Sequence, residues 1–190
     1  AQLEAMQAAG FVASARGFIP TRAHRVALAE AFRRAHGMDI VAVDSAEAAV
    51  AGSDIVLAAV KSAEPVLRGA WLQPGTHVNS VGTARRDQRE IDAEVFRRSA
   101  RIVVDTAEGV FGEAGDAVAA RDVVSPARAS ELASLVTGRA AGREDPAEIT
   151  LFKSVGTGIQ DIALAAVIYR NACARGVGTE LGDFPFIKPH

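Results

Sequence analysis

One cysteine, Cys173, stands in 190 residues, so no disulfide can form within the chain, and a reducing, cytoplasmic compartment is expected. Charge of one sign is also missing. The net charge is -2, and nothing electrostatic points to nucleic acid or to an anionic membrane as a partner. There is no long hydrophobic run. The most apolar stretch, around Ile159 to Tyr169, is interrupted by Gln160 and Asp161 and is too short to span a bilayer. No basic segment precedes an apolar core at the start, so a signal peptide is not expected. The four histidines, His24, His36, His77 and His190, are scattered without ligand spacing, and no metal site is expected. What remains is 49% hydrophobic and 23% charged residues, the composition of a globular protein large enough for one α/β domain or slightly more. The chain starts at Ala1 with a helix-like pattern already under way, as expected of a piece of something longer.

Apolar runs of strand length alternate with helical patterns. Residues 2–9, "QLEAMQAA", favour a helix that stops at Gly10. Strands are expected at 11–19, 39–43, 54–59, 76–81 and 101–105. Helices are expected after Thr21, ending at Gly37, then across "DSAEAAVAG" from a cap at Asp44 or Ser45, across "QREIDAEVFRRSA" and near 128–137. A long helix covers about 158–175, and the tail "DFPFIKP" reads as loop. Strands that are nearly all apolar, each followed by a helix, imply a parallel sheet covered on both faces. Such sheets bind ligands at the carboxyl ends of their strands.

The stretch "LFKSVGTGIQD", 151–161, invites reading as a phosphate-binding loop. A dinucleotide fingerprint needs a strand before the glycines, a helix after them, and an acid or base at the end of a second strand about 20 residues on. The helix is present. "EITLFKSV" is open between a short strand and an extended loop, and "ARGVGTELGD" downstream contains no apolar strand. On that context the stretch is no Rossmann fingerprint. The start of the chain instead resembles the region just downstream of such a fingerprint. Residues 2–9 read as the helix after the glycine loop, and 11–19 as the second strand.

Three segments carry a resemblance. They are "GSDIVLAAVKSAEPVLRGAWLQPGTHVNSVGTARRDQREID" at 52–92, "EITLFKSVGTGIQDIALAAVIYRNACARGVG" at 148–178 and "GFIPTRAHRVALAE" at 17–30. Together they are similar to the ornithine cyclodeaminase/mu-crystallin family, over essentially the whole chain. The resemblance implies an α/β fold: a Rossmann-type, doubly wound parallel sheet lacking its first strand, with a C-terminal helix returning to a substrate and dimerisation domain. The implied division is 1–146 for the partial NAD(P)-binding domain and 147–190 for the returning segment. It also implies a homodimer at full length. In the strand order 3-2-1-4-5-6 the first strand is central. Without it, the flanking strands stand two spacings, roughly 9.6 Å, apart with unpaired edges, and such a piece is not expected to fold stably alone.

The implied activity is hydride transfer, with NADP or NAD, to or from a small imino or amino acid, as in a ketimine reductase or an alanine dehydrogenase. Thr21, Arg22 and Arg25 lie at or past the end of the second strand. No acid occurs between Ala13 and Leu28, which favours NADP, because an arginine pairs with the 2′-phosphate where an acid would bind a free ribose. By resemblance Val60, Val81, Gly82, Thr83 and Ser154 approach the cofactor, Gly82 letting the backbone come close to the ring, while Val155 and Gly156 approach the substrate. Ornithine cyclodeaminases carry an acid/base aspartate at the position matching Ala84 and a lysine at that of Gln88. Neither is here, which argues against ornithine cyclodeamination, the alternative activity. A cofactor-binding protein without enzymatic activity is the alternative from another class. No catalytic residue is assigned. Asp105, Glu108, Glu113 and Asp116 read as a solvated acidic loop, and Cys173 as a small core residue.

Overall fold

A computed structural model describes residues 2–182. Two compact units make up the chain, Ala1–Val155 and Gly156–His190. The first holds seven strands, β1 Ala15–Gly17, β2 Ile40–Ala42, β3 Ile55–Ala58, β4 His77–Ser80, β5 Ser99–Val104, β6 Ala129–Glu131 and β7 Ile149–Lys153. Its helices are α1 Gln2–Ala8, α2 Arg22–His36, α3 Ala46–Val50, α4 Ala93–Arg98, α5 Ala107–Glu113, α6 Gly115–Ala119 and α7 Leu132–Val136. The second unit holds α8, Gly158–Arg175.

Local chemistry sets the helix ends. Gly37 takes the left-handed conformation (φ 67°) that closes α2. Ser45 accepts from the Ala48 amide at the start of α3, and Asp92 from the Val95 amide at the start of α4. α4 is shorter than the helix expected over 88–100. Glu90 lies in a bend and Ile91 bridges to Leu67, and the last turn gives way to β5 at Ser99. The expected helix near 128–137 splits into a 3₁₀ turn, β6 and α7. β6 forms because residues 129–131 pair with the edge of β5. The strand expected over 11–19 shrinks to three residues, the length over which β2 offers partners. The loop expected at 183–189 lies outside the described residues.

Every strand pair is parallel. β1 and β2 form a two-stranded sheet, and the other five form a sheet in the order β3-β4-β7-β5-β6. β7, left open between strand and loop by its sequence, sits in the middle of that sheet. The first unit therefore extends through Val155, past the division expected at 146. Between the two sheets lies a cleft of about 740 Å³, lined by Ala15 and Gly17 on one side and by Ile55, Leu57 and Ala58 on the other. It occupies the place where a Rossmann sheet carries its first strand. The main core packs around Val78, Val95, Phe96, Val104, Val110 and Leu151. A smaller one joins Ala29, Phe32 and Ile40. In the second unit, α8 ends at Gly176 in the left-handed conformation. It buries none of its residues, leaving Ile159, Ile162, Leu164 and Tyr169 exposed. Cys173 is exposed too, not a core residue.

Two central strands offer tests of stability in the intact protein. Leu151 is 1% exposed in β7, so Leu151→Ala leaves a cavity and costs about 2–5 kcal/mol, read as a lower urea midpoint. His77, on β4, is bonded to Thr150 Oγ1 at 2.7 Å and Asn79 Oδ1 at 3.2 Å. Burial, aided by the charge of Arg143 and opposed by the Asn79 bond, holds its pKa below 6.5. The unfolded chain then binds the extra proton first. Stability is full above the unfolded pKa and falls as pH drops below about 6.5. His77→Gln flattens that slope in urea titrations between about pH 5 and 7.

Candidate functional site at the carboxyl end of the sheet

Because all five strands of the larger sheet run the same way, their carboxyl ends share one edge. Ala58, Ser80, Lys153, Val104 and Glu131 stand in register across it. Just beyond this row come Val60 after β3, Val81 to Thr83 after β4, Ser154 and Val155 after β7, and Asp105 after β5. Six of the residues singled out from the sequence thus meet at one edge: Val60, Val81, Gly82, Thr83, Ser154 and Val155. Thr21, Arg22 and Arg25 belong to the other sheet, past the end of β1. Gly156 falls in the second unit, where its φ of 83° requires glycine.

Successive residues of a strand point to opposite faces, and β7 uses both. On one face Lys153, fully buried, puts Nζ 3.1 Å from Glu90 Oε2 and 2.6 Å from Asp116 Oδ2. It also donates to Ser80 Oγ at 3.0 Å and to the Thr83 carbonyl at 3.3 Å. Glu90 Oε2 accepts from Ser80 Oγ at 2.9 Å and from the Gly82 amide at 2.7 Å. Asp116 Oδ1 accepts from the amides of Glu90 at 2.7 Å and Ile91 at 3.1 Å. On the other face Asp105 Oδ2 accepts from Ser154 Oγ at 2.7 Å and from the Val155 amide at 3.0 Å. Its Oδ1 accepts from the Thr106 amide at 2.8 Å. The acidic segment expected to be solvated therefore divides. Glu108 and Glu113 are at least partly solvent-accessible, whereas Asp105 and Asp116 are buried because main-chain donors converge on them.

Gly82 makes a close contact inside the protein. A Cβ there would enter the van der Waals shell of the Val60 amide and carbonyl and stand 2.7 Å from the Ala59 carbonyl carbon. The missing side chain lets two turns of the protein touch each other. Thr83 is buried and donates to Gln88 Oε1 at 3.1 Å, holding the loop after it. Ala84 is half-buried beside it. Arg25 is 8% exposed, with its guanidinium on the Val43 carbonyl at 2.8 Å and Asp44 Oδ1 at 3.0 Å, over the Phe18 ring. Arg22 and Thr21 are exposed.

These residues suit the ring and ribose ends of a dinucleotide. Val60 and Val81 present half-buried apolar groups at the edge, and Arg22 is exposed past the end of β1. The described residues contain no strand–glycine-loop–helix unit for a pyrophosphate. They also contain no group of three or more His, Cys, Asp or Glu placed to hold a metal ion, and no helix long and apolar enough to cross a membrane.

The model of the ornithine cyclodeaminase/mu-crystallin family matches residues 1–176. The chain belongs to that family. Among curated relatives, the alanine dehydrogenase of Archaeoglobus fulgidus is 34% identical over 69% of this chain and 41% of its own length. The ketimine reductase mu-crystallin of Mus musculus is 32% identical over 74% of this chain and 43% of its own. Among solved structures, the Delta(1)-pyrroline-2-carboxylate reductase of Thermococcus litoralis, in complex with NADH and L-proline, superposes with a TM-score of 0.89. It is 40% identical, over 95% of this chain and 56% of that one. The chain thus spans about half the length of the family members it matches.

Nothing in the sequence patterns singled out Lys153, Glu90 or Ser80. The usable signal was a lysine closing the run "ITLF", because a charge in a strand buried on both faces must be paired. The Gly82 contact is tested by Gly82→Ala, which forces the turns after β3 and β4 apart and costs about 1–3 kcal/mol. Gly112→Ala on α5, where a Cβ meets nothing within 4 Å, is neutral or slightly stabilising. Urea unfolding of both variants provides the comparison.

Proposed function

We propose that this chain supplies the greater part of the nicotinamide-cofactor domain of a cytoplasmic oxidoreductase acting on a small imino or amino acid. The observation that carries the reading is the convergence of the turns after β3, β4 and β7 on one parallel-sheet edge, where such sheets bind ligands. The kinship with imine reductases and alanine dehydrogenases, some solved with NADH or NAD bound, supports it.

When bound, the nicotinamide supplies or accepts the hydride. The residues of this chain position and enclose. Val60 and Val81 offer apolar contact to the ring and exclude water. Ser154 and Val155, held by Asp105, border ring and substrate. Arg22 and Thr21 meet the adenosine ribose, and with no acid between Ala13 and Leu28 the preference is for NADP. Arg25, already paired with Asp44, steadies that corner rather than taking the phosphate. No proton is moved at position 84, because alanine has no group to move it. The intact protein is a homodimer on this reading, in line with an archaeal alanine dehydrogenase solved as a dimer with NAD bound.

The test is nicotinamide absorbance at 340 nm with the intact protein and a panel of cyclic ketimines, pyruvate with ammonia, and L-ornithine. Net oxidation of NADPH by a ketimine, or by pyruvate and ammonia, is the expected result. Arg22→Glu lowers the preference for NADPH over NADH by about tenfold or more. Proline formed from ornithine without net cofactor turnover makes the protein a cyclodeaminase. Cofactor binding with no turnover on any substrate makes it a binding protein.

A further inference from the structure

We propose that the buried triad of Lys153, Glu90 and Asp116 is a positioning device for the cofactor site, setting the spacing of the turns after β3 and β4 without touching the cofactor. This rests on the reading of that edge as a nicotinamide site. Lys153 and Glu90 are 0% exposed and Asp116 is 2% exposed, and although Glu90 borders the cleft between β1 and β3, both of its carboxylate oxygens are engaged by protein donors. What they hold is main chain. Glu90 takes the Gly82 amide at 2.7 Å, with the Val60 amide at 3.4 Å from its other oxygen, and Lys153 takes the Thr83 carbonyl at 3.3 Å. By the family resemblance Val60, Gly82 and Thr83 stand next to the cofactor. Asp116 completes the link by fixing the amides of Glu90 and Ile91 from α6.

The chemistry explains why charges stand here. The Val60 and Gly82 amides lie past the ends of their strands, where no ladder partner is available, and buried amides need acceptors. A carboxylate takes donors on both of its oxygens at once, whereas a carboxamide offers only one acceptor oxygen. A buried carboxylate in turn needs a cation, and Lys153 reaches it because β7 lies between β4 and β5. Stability alone does not call for such a triad, since apolar side chains of similar volume often stabilise a fold as well or better. What the ions add is a defined geometry at the turns, reinforced by the bare Cα of Gly82 against the Val60 backbone.

The intact protein carries the test in three forms besides the wild type. Glu90→Leu keeps volume but removes the acceptor. Glu90→Gln keeps one acceptor oxygen. Leu72→Ala, a buried core site outside the triad, serves as a control for stability loss alone. Three quantities are read at a temperature where every variant is folded by circular dichroism: the melting temperature, hydrogen exchange at the Val60 and Gly82 amides, and the Kd for NADPH and NADH from nicotinamide fluorescence. Glu90→Leu is expected to speed exchange at both amides and to raise the Kd about tenfold or more. Glu90→Gln recovers part of that affinity, and Leu72→Ala lowers the melting temperature without changing the Kd. The proposal is overturned if Val60 and Gly82 exchange at wild-type rates in Glu90→Leu. It is equally overturned if the Kd follows melting temperature across all variants, control included. If the wild type binds neither cofactor, the nicotinamide reading falls, and the exchange rates alone then decide whether the triad positions the turns.

Discussion

A lysine ammonium sits where no water reaches it, between two carboxylates, at the end of the central strand of a parallel sheet. Lys153 is tolerable there only because Glu90, Asp116, Ser80 and the Thr83 carbonyl surround it. Removing any one leaves charge or dipole uncompensated in a medium of low polarizability. The cluster joins β7 to β4, to the turn after β3, and to α6. These elements are distant in sequence. Lys153 and Ser80 are 73 residues apart, and backbone pairing alone would bring them together only through the ladder between β4 and β7.

That ladder explains the arrangement of the site. β7 enters the sheet after β6 has closed its far edge, and takes the gap between β4 and β5. Its last residue then faces inward on one side while Ser154 faces Asp105 on the other. Both faces end on a carboxylate that gathers main-chain amides beyond the strand ends. The edge is therefore set by electrostatics from below, and its rim, Val60 and Val81, is apolar and half-buried. The cleft between β1 and β3 marks where the sheet is open, in keeping with a chain that spans about half the length of its relatives.

Much of the fold was legible from local pattern. Apolar runs at 54–59 and 76–81 became β3 and β4. Gly37 and Gly176 ended their helices in the left-handed conformation. Motif order alone pointed to the family. Illegible were β6, whose "ASE" has no strand character and pairs only because β5 offers an edge, and the central place of β7. Asp105 and Asp116 looked solvated because sequence shows an acid's neighbours along the chain, whereas amides they accept come from as far as 50 and 26 residues away. Arg25 looked free for a phosphate for the same reason.

By itself the sequence determined the alternation of strands and helices and the parallel sense of the sheet. These arise from periodicity, from turn chemistry and from the handedness of the strand–helix–strand crossover, all local properties. Only the tertiary structure decided which charges are buried and what they hold. Burial turns a carboxylate from a hydrated group into an acceptor that must be filled by named donors, and those donors are chosen by strand order rather than by sequence neighbourhood.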